Sequence, residues 1–108
     1  MKMDEFRYDY SQYSDILHIQ RNNNATVGSV EIGDFTIDFG KGNKVVGLEI
    51  EHASEFFANL DITKESLNKI EDVQIIVDNR NPQSQLIFLA IKFPIGIKKI
   101  SIPLTVTA

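Results

Sequence analysis

Apolar side chains fall at every second position near the start of the chain. In "FRYDY" (6 to 10) Phe6, Tyr8 and Tyr10 share one face, the pattern of a half-buried strand. "SQYS" then turns the chain, and "DILHIQ" (15 to 20) resumes the extended pattern. A polar, turn-rich loop "RNNNAT" (21 to 26) precedes a third strand, "VGSVEI" (27 to 32), which Gly33 closes. Residues 34 to 50, "DFTIDFGKGNKVVGLEI", read as a hairpin with a glycine turn. A loop centred on Lys41-Gly42 sets Phe39 opposite Lys44, Ile37 opposite Val46 and Phe35 opposite Leu48. Phe35, Ile37, Val46, Leu48 and Ile50 then face a core on both strands. The other face carries Asp34, Thr36, Asp38, Val45, Gly47 and Glu49, with Asp34 directly opposite Glu49.

After Glu51 the period changes. Ala53, Phe56, Phe57 and Leu60 recur at helical spacing and predict a short helix over 53–60. A second start follows, where Thr63 can cap, Glu65 suits the positive helix end, and Ile62 can staple onto Leu67. That helix is expected over 64–70. Three strands complete the pattern, "VQIIVD" (73 to 78), "QLIFLAIKF" (85 to 93) and "IKKISIPLTV" (97 to 106). Pro103 has no N–H, so the last strand belongs at a sheet edge. The expected fold is α+β, one mostly antiparallel twisted sheet of six to eight strands with one or two short helices after the fifth strand. A single domain over 1–108 is expected, a β-rich unit at 6–60 and a helix with three strands at 61–108.

The 108 residues, 43% of them apolar and 24% charged, suit one globular domain and argue against disorder. Cysteine is absent, which excludes disulfides, thiolate catalysis and cysteine metal sites. "MKMDEFRYDY" lacks the apolar region of a signal peptide, and "LIFLAI" (86 to 91) is far too short for a bilayer span. The expected compartment is therefore the cytoplasm, where the Asn24-Ala25-Thr26 glycosylation match is fortuitous. Residues 1–60 hold 5 Lys/Arg against 10 Asp/Glu, and residues 61–108 hold 6 against 5. Neither half offers the basic patch that nucleic acid requires.

The chemistry-bearing motifs are few. Gly40-Lys41-Gly42 is followed by a strand, where a phosphate loop needs a helix, so it reads as a turn. His18 and His52 stand in no spaced ligand motif, and no Gly-x-Ser-x-Gly elbow supplies a nucleophile. Structural or solvated roles are expected for both, with no catalytic residue and no cofactor. The acidic hairpin face is the one candidate site. Like charges directly opposed cost up to about 1 kcal/mol, which a cation held by Asp34, Asp38 and Glu49 would relieve. Calcium, however, takes six or more ligands from a patterned loop, and no such loop is present. No metal is expected. The face reads as the solvated back of a sheet that could dock a basic partner through Asp34, Asp38, Glu49 and Glu51.

"YSQYSDILHI" (10 to 19) and "VEIGDFTIDFGKGNKVVGLEIEHAS" (30 to 54) resemble a small family, domain of unknown function 2283. Val46-Gly47-Leu48-Glu49-Ile50 and Ala53-Ser54 match its ending most closely, while Ser11 and His18 replace a common aspartate and tyrosine. The resemblance brings no enzymatic activity with it. It implies an antitoxin-like or partner-binding role.

The leading expectation is a non-catalytic protein-interaction module. Its rival is a small-molecule-binding protein or enzyme, with a pocket between the 53–60 helix and the sheet lined by His18, a tyrosine and a carboxylate. "QLIFLAIKF" is apolar on both faces, Leu86, Phe88 and Ala90 on one and Ile87, Leu89, Ile91 and Phe93 on the other. Such a strand must be covered twice, and the short helices offer little for the second face. The face containing Phe88 therefore predicts a homodimer or another small protein partner.

Overall fold

The computed structural model describes residues 5–81 and 84–105. Among these residues the strands are β1 (Phe6–Ser11), β2 (Ile16–Arg21), β3 (Gly28–Ile32), β4 (Phe35–Phe39), β5 (Val45–Ile50), β6 (Asp72–Asn81), β7 (Ser84–Phe93) and β8 (Gly96–Thr105). The helices are α1 (Ala53–Ala58) and α2 (Lys64–Leu67). The strand pairings are antiparallel, so the fold is α+β with mostly antiparallel sheet. The eight strands form two sheets, β1-β2-β5-β4-β3 and β6-β7-β8, where a single sheet was expected. Alternation dictates which face a strand buries but not which edge it pairs with, and that is why the split escapes a reading of the pattern. The chain divides into two compact units between Asn68 and Lys69, one sheet in each.

In the first unit the expected faces are present. Phe6, Leu17, Ile19, Ile37, Leu48 and Ile50 point inward and are buried. α1 lies on this face, its Phe56 ring meeting Phe35 edge-on at 5.2 Å, with Ala53 and Phe57 fully buried. The helix stops at Ala58, short of Leu60. Asp61 turns left-handed (φ +61°) and the Ile62 N–H reaches back to the Phe57 carbonyl at 2.9 Å. That closure buries Ile62 and leaves Leu60 exposed. Thr63 caps α2 as expected, accepting from the Ser66 N–H at 3.2 Å. α2 ends at Leu67, which is buried, three residues before the expected end at 70.

The hairpin register differs from the expected one. Phe35 lies opposite Ile50 and Ile37 opposite Leu48, a shift of two residues. The tip is one turn of 3-10 helix, Lys41–Asn43, with Gly42 and Asn43 both at positive φ. A bulge between Asp38 and Phe39 absorbs the odd residue, bringing Phe39 opposite Val45. Up to the bulge the even shift leaves each side chain on its face but changes its partner, whereas beyond it Val45, expected on the outer face, stands opposite Phe39 and is buried. Asp34 is therefore not opposite Glu49. Glu49 stands between Thr36 and His18, and the inferred like-charge opposition does not exist.

In the second unit β7 is central, with β6 and β8 at its sides. Val73, Ile75, Ile87, Leu89, Ile91, Phe93 and Ile102 make one buried face. β8, the strand containing Pro103, is at the edge, as its missing N–H predicted. No helix among the described residues is long and apolar enough to cross a membrane.

Candidate functional site

The outer face of the five-stranded sheet is polar and ordered in rows by the strand registers. Arg7, Gln20, Gly47, Asp38 and Ser29 form one row, and Asp9, His18, Glu49, Thr36 and Glu31 the next. The four carboxylates singled out as a docking face do not act alike. Asp38 is 4% exposed, and its Oδ1 accepts from the Ser29 hydroxyl at 2.6 Å. Glu49 is half-buried beside His18. Asp34 and Glu51 are exposed and sit at the far end of the hairpin, joined by a 2.8 Å bond from the Glu51 N–H to the Asp34 carbonyl. Asp34 also meets the ring Nδ1 of exposed His52 at 3.3 Å, and that hydrogen bond and charge raise the His52 pKa.

A second cluster, not foreseen from the sequence, lies at the edge of the core. The Asp15 carboxylate accepts the Tyr10 hydroxyl at 2.6 Å, the Ser54 N–H at 3.0 Å and the Ser54 hydroxyl at 2.7 Å. Burial works to raise the Asp15 pKa, but the bonds from Tyr10 and Ser54 and the charge of Lys64 outweigh it and the net direction is down. Burial, the same hydrogen bond and the Asp15 charge push the Tyr10 phenol up to about 12. A phenol so protonated at neutral pH is a hydrogen-bond donor and not a base. The cluster is structural: His52, at the start of α1, gives no side-chain cap, and Asp15 supplies one from the β1–β2 turn. The Asp15 carbonyl adds a 3.0 Å bond from the Ala53 N–H.

Tyr10, Asp15 and Ser54 thus tie the first strands to the start of α1, and together they bracket one recognisable segment. Residues 7–54 match the family model of DUF2283, a protein of unknown function. The resemblance over Tyr10 to Ser54 is therefore shown. No curated protein and no solved structure matches the chain. The DUF2283 segment holds β1 to β5 and the first turn of α1, and the Ala53-Ser54 ending of its motif is where Asp15 caps the helix. Its Val46-Gly47-Leu48-Glu49-Ile50 run is the central strand β5, buried except at Glu49.

Phe88 lies outside the DUF2283 segment, on the outer face of β7. Ile76 is its direct cross-strand neighbour, and Leu86 stands two residues along the same face. Ile76 is 46% and Leu86 40% exposed. Lys99 reaches over the Phe88 ring, 5.1 Å from its centroid, and half covers it.

Proposed function

We propose that the chain is a non-catalytic protein-interaction module that works in the cytoplasm as a homodimer, or bound to one other small protein, through the outer face of β7. The observation that supports this reading is the apolar band of Ile76, Leu86 and Phe88, open on the solvent side of the second sheet. Contiguous apolar surface of this kind is uncommon on monomers and typical of interfaces. A twofold axis through the band would cover both copies with one self-complementary patch. The DUF2283 resemblance supports an antitoxin-like role, in which the partner is a small protein. The pocket reading finds less support. Tyr10 shares the inner face with Leu17, whereas His18 is on the outer face, so the groups that such a pocket needs stand on opposite sides of the sheet.

Size exclusion with light scattering over a wide concentration range tests the reading. The wild-type protein is expected at twice the 12.2 kDa chain mass, and Phe88→Glu at one chain mass with an unchanged circular dichroism spectrum. A wild-type mass of one chain at the highest soluble concentration would remove self-association.

A further inference from the structure

β3 is the outermost strand of the first sheet, and among the described residues it pairs with β4 alone. The Glu51 N–H bonds to the Asp34 carbonyl, so Asp34 directs its backbone groups toward β5. Antiparallel strands alternate this direction residue by residue. Phe35 and Ile37 therefore exchange bonds with Ile32 and Val30, while Ser29 and Glu31 turn their N–H and C=O groups to the free edge. All five residues of β3 are exposed. Native sheets blunt such an edge with lysine, proline or a bulge. The edge strand β8 contains Lys98, Lys99 and Pro103, whereas β3 (GSVEI) pairs in unbroken register and has none of these.

The two faces of the edge differ in chemistry. Val30 and Ile32 lie on the core face, opposite Ile37 and Phe35, yet they are 44% and 38% exposed because the sheet ends with their strand. On the outer face Glu31 closes the row of Asp9, His18, Glu49 and Thr36, which brings three carboxylates into one line across the sheet. We propose that β3 takes an extended segment of a partner protein as an antiparallel sixth strand, and that the side chains of this segment are alternately apolar and basic. Its apolar residues carry the core on past Val30 and Ile32, and its Lys or Arg residues stand beside Glu31. Main-chain bonds to Ser29 and Glu31 supply affinity, and the alternating side chains supply specificity. An acidic segment would set like charges beside Glu31, which is unfavourable. A second copy's β3 brings no base to this face, so a basic segment fits the edge better. The edge belongs to the first unit, and the proposal is independent of the β7 face in the second.

NMR titration of the isotope-labelled protein with the peptide acetyl-Ser-Val-Lys-Val-Lys-Val-Ser-amide tests it. Saturable binding is expected, with the largest shifts and slowed hydrogen exchange at the Ser29 and Glu31 amides. The lysines of the peptide share the outer face with Glu31, so their N–H groups are the ones that point at β3. N-methylation of both lysines removes those donors and should weaken binding about tenfold or more. N-methylation of the valines, whose N–H groups face solvent, should leave affinity within about threefold. Glutamate in place of the lysines should weaken binding about fivefold or more, and Glu31→Gln should weaken the lysine peptide about two- to fivefold. The methylated peptides leave the protein unaltered and decide the matter whether or not the variant folds. Absence of saturable binding, equal losses from the two methylated peptides, or tighter binding of the glutamate peptide would each overturn the assignment. Slow exchange at Ser29 and Glu31 without peptide would place a second copy on the edge and overturn it too.

Discussion

Replacing Asp15 by Ala removes three hydrogen bonds at once, and the cost can be worked from the geometry. The Ser54 N–H loses its cap, worth about 1 kcal/mol at a helix start. The Tyr10 hydroxyl loses a charged acceptor at 2.6 Å, and its partial exposure reduces that to about 1 kcal/mol. Asp15 sits at φ +58°, a left-handed position that costs alanine about 1 kcal/mol more. The sum is roughly 3 kcal/mol. Asp15→Asn keeps the left-handed residue and an acceptor, loses only the charge, and is expected to cost about 1 kcal/mol. Tyr8, Tyr10 and Tyr13 are the only tyrosines and tryptophan is absent, so tyrosine fluorescence reads the first unit alone. Urea titrations followed this way should show the midpoint falling in the order wild type, Asn, Ala at constant slope. pH supplies a second check. The Asp15 carboxyl titrates below its ordinary 3.8, so its charge stabilises the fold above that pH and ceases to do so as pH falls through the native value. The gap between wild type and Asp15→Asn should therefore close in acid. An Ala variant within about 0.5 kcal/mol of wild type, or an Asn variant as damaged as Ala, would refute the capping argument.

Gly47→Ala forces a methyl against Gln20 Oε1, Asp38 Oδ2 and the Ile19 carbonyl, all within 3.0 Å, and should cost about 1–3 kcal/mol. An unchanged thermal midpoint would contradict it. Leu48→Ala empties a fully buried position of the central strand and should cost about 2–5 kcal/mol in the same urea assay. The His52 pKa is raised by Asp34, so the pair favours the fold below pH 6.5 and loses its effect as pH rises through the native value. An NMR titration should place the His52 pKa above its ordinary 6.5 in wild type and lower in Asp34→Asn than in wild type. The Tyr10 phenol should ionise near pH 12, visible as a late step in the alkaline absorbance titration that Asp15→Ala moves down.

The period-two alternation by itself assigned Ile37, Val46, Leu48 and Ile50 to the core, because a strand's two faces are a local consequence of its pleat. Thr63 as a cap and Pro103 at an edge were legible for the same reason, since each depends on one residue's own donors and acceptors. The hairpin register was not, because the bulge at Asp38 and the left-handed Asn43 respond to how the whole tip closes. The split into two sheets depends on which strand edges meet, a choice settled by the sum of long-range packing. Asp15 and Ser54 are 39 residues apart, so neither spacing nor periodicity relates the carboxylate to the helix it caps. Alternation put Asp38 on the outer face, and the strand registers place Gln20 there beside it. Only the tertiary structure buries them there, because a glycine between two longer neighbours leaves a hollow into which both side chains fold.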